Sequence, residues 1–134
     1  MGAWGIGNFD NDTACDWAYE LEESSDLSVI QRSIDAVFDD DYIDGDIGSE
    51  ALAAIDTLAR LMGRFGVKNS YTETVDRWVS KNKLESSKDL IEKSNKALKA
   101  ILGKTSELAD LWSDSDEFEN WKSEVKLLKS RLNS

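Results

Sequence analysis

The sequence predicts an all-α protein: one compact, irregular bundle of five to seven helices with an ordered Gly-rich N-terminal arm, residues 1–134 forming a single helical domain. Three observations carry this prediction. Apolar residues recur at three- and four-residue spacing in one segment after another, and no segment alternates for long enough to be a strand. The 134 residues contain no proline. Gly, Ser, Asn and Asp clusters punctuate them at intervals suited to short connections between helices. A chain of this length buries roughly two-thirds of the surface that its unfolded form exposes, so its core needs neither disulfide nor metal.

The elements follow in order. Residues 1–9 place Gly2, Gly5 and Gly7 among Trp4, Ile6 and Phe9, the pattern of an arm packed on the body, with Trp4 expected to plug the bundle. The first helix runs from Asn11 to Glu22, with Ala14, Trp17, Ala18 and Leu21 on one face and capping oxygens from Asp10, Asn11 and Asp12. A second spans Asp26 to Phe38, turning Leu27, Ile30, Ile34 and Val37 inward. An acidic loop, Asp39 to Gly48, leads to a third helix, Glu50 to Met62, capped by Ser49 and stopped by Gly63. Its predicted inner face is Leu52, Ile55, Leu58, Ala59 and Met62. The fourth helix, Thr72 to Lys81, carries Val75, Trp78 and Val79, and the fifth, Ser87 to Leu102, carries Leu90, Ile91, Ala97, Leu98, Ile101 and Leu102. Leu108, Leu111 and Trp112 mark one or two turns after Thr105. In the last helix Phe118, Trp121, Val125, Leu128 and Leu132 step 3, 4, 3, 4 along an apolar seam. Two heptads are short for a coiled-coil dimer, so the seam is expected to close the bundle.

Composition narrows the chemistry. There is no histidine, which excludes imidazole acid/base catalysis, Ser-His and Cys-His nucleophiles and the usual zinc sites. The single cysteine, Cys15, forms no intramolecular bridge, and with no secretory signal ahead of it the expected compartment is the reducing cytoplasm. Charge is distributed unevenly: residues 1–67 hold 3 basic and 15 acidic side chains, residues 68–134 hold 13 and 12, and the total is −11. An excess of that sign repels nucleic acid and anionic lipid and attracts basic proteins. No apolar run reaches the length of a membrane span.

Several constellations bear on function. The loop Asp39-Asp40-Asp41-Tyr42-Ile43-Asp44-Gly45-Asp46-Ile47-Gly48 invites comparison with a calcium-binding EF-hand, but the register fails. With Gly45 at the turn, Tyr42 takes the third ligand position and Ala51 the twelfth. No metal or other cofactor is therefore expected. The sharper reading is a protein-facing patch, Asp39, Asp40, Asp41, Tyr42, Asp44 and Asp46, in which the tyrosine anchors and the carboxylates steer. Asp12, Asp16 and Glu20 would line one helix face, as solvated stripes do, without a nucleophile or pocket beside them. Gly5-x-Gly7 lacks the third glycine of a dinucleotide loop. Trp17, Trp78, Trp112 and Trp121 fall on apolar helix faces and are expected in the core. Cys15 has no basic neighbour to activate it.

The opening Met1-Gly2-Ala3-Trp4-Gly5-Ile6-Gly7-Asn8-Phe9-Asp10-Asn11-Asp12, followed by Asp16-Trp17 and Glu20-Leu21, resembles a family of small bacterial proteins, domain of unknown function family 4259. Tyr42-Ile43-Asp44 leading into Ser49 to Ala54, and the segments around Trp78 and Ser106 to Trp112, extend the similarity over most of the chain. The resemblance implies a compact helical domain and supplies neither an activity nor catalytic residues. The chain departs from the family's tendency in lacking proline near residues 46 and 72 and in its unusually acidic loop. Taken together, these features point away from an enzyme. They point to a cytoplasmic immunity-type protein that neutralises a basic, nuclease-like toxin through an acidic surface. A self-associating or other interaction module without a toxin partner is the alternative. The expected partner is a basic protein, and neither nucleic acid nor membrane.

Overall fold

The computed structural model describes residues 5–134, and the Trp4 plug lies outside them. Seven α-helices are present among these residues, joined by short connections, and no sheet forms. The helix ends follow their capping chemistry. Asn11 accepts from the Ala14 amide at 2.8 Å and starts α1 (Asp12–Glu22). α2 (Ser28–Asp35) tightens into a 3₁₀ turn, Ala36–Phe38, so the helix expected over Asp26 to Phe38 is shorter and changes pitch at its end. Thr72 precedes α4 (Glu73–Lys81), Ser87 caps α5 (Lys88–Ile101), Ser106 caps α6 (Glu107–Ser113), and α7 spans Phe118–Leu132.

The main correction concerns α3, which runs Gly45–Leu61 and begins five residues before the expected Glu50. The cap is Asp44, whose carboxylate accepts from the Asp46 amide at 2.8 Å, and Ser49 lies inside the helix. Gly45 and Gly48, expected in the acidic loop, lie inside the helix, and both serve close approach. A Cβ on Gly48 would lie 2.8 Å from Leu108 Cδ1, and one on Gly45 would lie 3.0 Å from Glu107 Oε1. α6 therefore rests directly on the first turn of α3. The acidic loop shrinks to residues 39–43, pinned by a parallel bridge in which Ile43 donates to the Thr105 carbonyl (2.8 Å) and accepts from the Glu107 amide (2.9 Å). Gly63, with φ 81°, does end α3 as expected.

α3 is the centre of the bundle. Every residue from Ala51 to Arg60 is buried, so the single inner face expected for it becomes an all-round buried helix. The other helices wrap it with the faces that their spacing predicts. Trp17, Trp78, Trp112 and Trp121 are all in the core, and Trp17 and Trp78 donate their indole N–H groups to Ser33 Oγ (2.8 Å) and the Ser24 carbonyl (2.7 Å). The α7 seam of Trp121, Val125, Leu128 and Leu132 is fully spent inside the chain, as a bundle-closing helix requires. The arm is ordered where described: Gly7 and Asp10 close a turn, Asn8 and Phe9 are buried, and Cβ atoms on Gly5 or Gly7 would meet the Asp10 carboxylate at 2.6 Å.

Candidate functional site

The six residues singled out in the sequence divide between two settings. Asp39, Asp40 and Asp41 are exposed on the connection after the 3₁₀ turn, whereas Asp44 and Asp46 form the capped start of α3. Between them Ile43 turns into the core and Tyr42 stays 48% exposed. The fold adds two carboxylates that the sequence reading missed. Tyr42 donates its hydroxyl to Asp110 Oδ2 at 2.7 Å, and Glu107 Oε1 accepts from the Gly45 amide at 2.7 Å. Their sequence separations from these partners, 68 and 62 residues, hide them from any local pattern. Thr13, at the start of α1, donates to Asp46 Oδ1 at 3.0 Å. The α6 carboxylates Asp110 and Glu107 thus come to Tyr42 and to the start of α3, next in the chain to the exposed carboxylates of the loop.

The electrostatics of that face are one-sided. The ion pairs among the described residues lie elsewhere, and none of them involves Asp39, Asp40, Asp41, Asp44, Asp46, Glu107 or Asp110. The hydrogen bond to Asp110, with desolvation and the charges of Asp110 and Glu107 behind it, pushes the Tyr42 hydroxyl up to about 12, so the phenol stays protonated. On α1, burial and the charges of Asp12, Asp16 and Asp10 push the Cys15 thiol up, which suppresses the thiolate. Among the described residues no group of three carboxylates or thiols gathers as a metal ion needs. Gly45 is helical, where a calcium loop would require its sharp turn.

A second constellation is buried and was not legible in the sequence. Asp56 on α3, 3% exposed, accepts from Asn8 of the arm (2.9 Å), from Arg60 Nε (2.9 Å) and from both terminal nitrogens of Arg131 on α7 (3.0 Å each). Arg60, 1% exposed, also reaches Asp76 on α4 (2.7 Å) and the Val67 carbonyl (2.7 Å), with the Phe9 and Phe65 rings 5.5 and 5.8 Å from its guanidinium carbon. Burial acts to raise the Asp56 carboxyl, but the bonds and charges of Arg131 and Arg60, with Asn8, more than offset it and hold it below its ordinary value. Two arginines balance two aspartates here, so the cluster fastens α3, α4, α7 and the arm together and offers no net charge to a ligand.

Comparison with known proteins agrees with the resemblance. The family described as Domain of unknown function (DUF4259) has a sequence model that matches residues 2–124, which includes the acidic face and ends before Arg131. No curated protein and no solved structure matches the chain. No helix among the described residues is long and apolar enough to cross a membrane.

Proposed function

We propose, for a chain that belongs to the DUF4259 family, that it acts by binding rather than catalysis, as an immunity-type protein that captures and neutralises a basic, nuclease-like toxin domain. One observation supports this above the others: carboxylates from separate segments meet around the exposed Tyr42 without a single ion pair of their own. Such a face supplies a long-range field for encounter and an aromatic anchor for the bound state. A basic nuclease cleft, shaped to hold phosphates, is its electrostatic complement.

The test is a tagged pull-down from the native cell at low and high salt, with bound proteins identified by mass spectrometry and then assayed for toxicity with and without this chain. The expected result is a stoichiometric basic protein that releases as salt rises and whose toxicity the chain blocks. Neutralising Asp39, Asp40 and Asp41 to Asn should weaken capture without unfolding the protein, since all three are exposed. Undiminished capture by that variant would remove the loop from the account, and recovery of the chain alone would favour self-association.

A further inference from the structure

The outer face of α5 carries charges of both signs in a fixed order. Asp89, Glu92, Lys96 and Lys99 are all exposed and follow one another at spacings of three, four and three residues, so they form a single stripe along the helix. The two carboxylates occupy its N-terminal half and the two ammonium groups its C-terminal half. None of the four enters an ion pair among the described residues. The helix itself offers them partners, since Asp89 with Lys93 and Glu92 with Lys96 stand four residues apart in the order that favours pairing within one helix. Neither pair closes, and Lys93 reaches instead to Asp35 on α2.

An aromatic borders the stripe. Phe38, at the end of the 3₁₀ turn, is 45% exposed and lines an open groove together with Asp89, Glu92, Lys93 and Lys96. The Lys93 ammonium lies 5.8 Å from the centre of its ring. A half-exposed ring set among charged side chains suits a protein contact, in which an aromatic anchors and a polar rim surrounds it.

The charge order selects the occupant. Ser94 is midway between Asp89 and Lys99 and also midway between Glu92 and Lys96. Two copies of α5 laid antiparallel about a two-fold axis at the level of Ser94 therefore set Asp89 of one against Lys99 of the other, and Glu92 against Lys96. Symmetry repeats both pairs, so four oppositely charged contacts form together. A basic partner would meet Lys96 and Lys99 here, and an acidic one would meet Asp89 and Glu92. A second copy matches all four positions. The chain's −11 sets two copies repelling each other, whereas this stripe is neutral and lets them approach.

We propose that the outer face of α5, with Phe38 beside it, is the contact between two copies of this chain in a weak two-fold symmetric dimer. The inference goes beyond the capture reading and does not depend on it. The test is sedimentation velocity on the purified chain at roughly 0.1–1 mM, the range in which a contact built on exposed pairs is populated. Two charge-reversed variants accompany the wild type: Asp89→Lys with Glu92→Lys, and Lys96→Glu with Lys99→Glu. The wild type is expected to dimerise at low salt and to dissociate as salt rises. Each variant alone sets like charges opposite one another in all four contacts, so its dimerisation should weaken at least about tenfold. Mixed in equal amounts, the two variants are complementary at every contact, and a heterodimer should form. All four positions are exposed, and circular dichroism checks that both variants fold. A wild type that stays monomeric throughout, variants that dimerise as the wild type does, or folded variants whose mixture stays monomeric would each overturn the α5 contact.

Discussion

Arg131→Met isolates what the buried cluster contributes to stability. The substitution keeps an unbranched stem for packing and deletes two charge-assisted bonds to Asp56, at 3.0 Å each, and a third to the Arg64 carbonyl at 3.1 Å. Asp56 is 3% exposed, so its carboxylate depends on protein donors, and Arg60 and Asn8 still hold it. The loss should therefore sit at the lower end of the range for stripping one partner from a buried ion pair, about 3 kcal/mol. At roughly 2.1 cal/mol/K of unfolding entropy per residue, that is a fall in Tm of about 10 °C for this chain. Urea unfolding followed by tryptophan fluorescence and circular dichroism measures it. Lys129→Met, on the exposed side of the same helix, is the control and should stay within about 0.5 kcal/mol. A loss below about 1 kcal/mol with an unchanged m-value would refute the argument, because the Asp56–Arg131 link would then be worth no more than an exposed pair.

Three other outcomes follow from the same geometry. Because the folded state depresses the Asp56 carboxyl, its contribution is complete above the ordinary aspartate value of about 3.9 and is lost as pH falls through the lower folded value. The stability gap between wild type and Asp56→Asn should accordingly be full at pH 7 and shrink below about pH 4 in urea melts; a gap that widened there would reverse the assignment. Ultraviolet titration of the phenols should show one of the three tyrosines ionising near 12, and Tyr42→Phe should abolish that late phase alone. Val125→Asp places a carboxylate at a fully buried position of the α7 seam, so it should cost about 4 kcal/mol or more and unfold the chain. A folded Val125→Asp monomer derived from a wild-type dimer would mean instead that the seam is an intermolecular one.

Legibility in the sequence tracked the range of the interactions involved. α1, α5 and α7 begin where Asn11, Ser87 and the seam at Phe118 indicate, because caps and periodicity are local. Four tryptophans were correctly assigned to the core on spacing alone. The start of α3 was misread because Gly45 and Gly48 break helices in isolation, while here they admit Glu107 and Leu108 from 60 or so residues away. The same distance hid Asp110 behind Tyr42. Asp56 and Arg60 look like an ordinary i, i+4 surface pair, and nothing nearby announces that Arg131, 75 residues on, turns them into a buried cluster.

The fold also explains how so many like charges share one face. The carboxylates of Asp44, Asp46 and Glu107 sit at the cap and first turn of α3 and the first turn of α6, and Thr13 in the first turn of α1 donates to Asp46. Two carboxylates roughly 6 Å apart in water repel by about 0.7 kcal/mol. A helix N-terminus stabilises a nearby anion by about 0.3–1 kcal/mol, the same order. The helix ends thus offset repulsion within the face through interactions confined to a single turn. They do not cancel its net charge, which still reaches outward over a screening length of about 8 Å at physiological salt. On the capture function proposed above, a basic partner would meet a field whose internal cost the scaffold has already reduced. Because the Asp56 cluster lies further along α3 and fastens its middle to α4 and α7, binding at the face should proceed without rearranging the core.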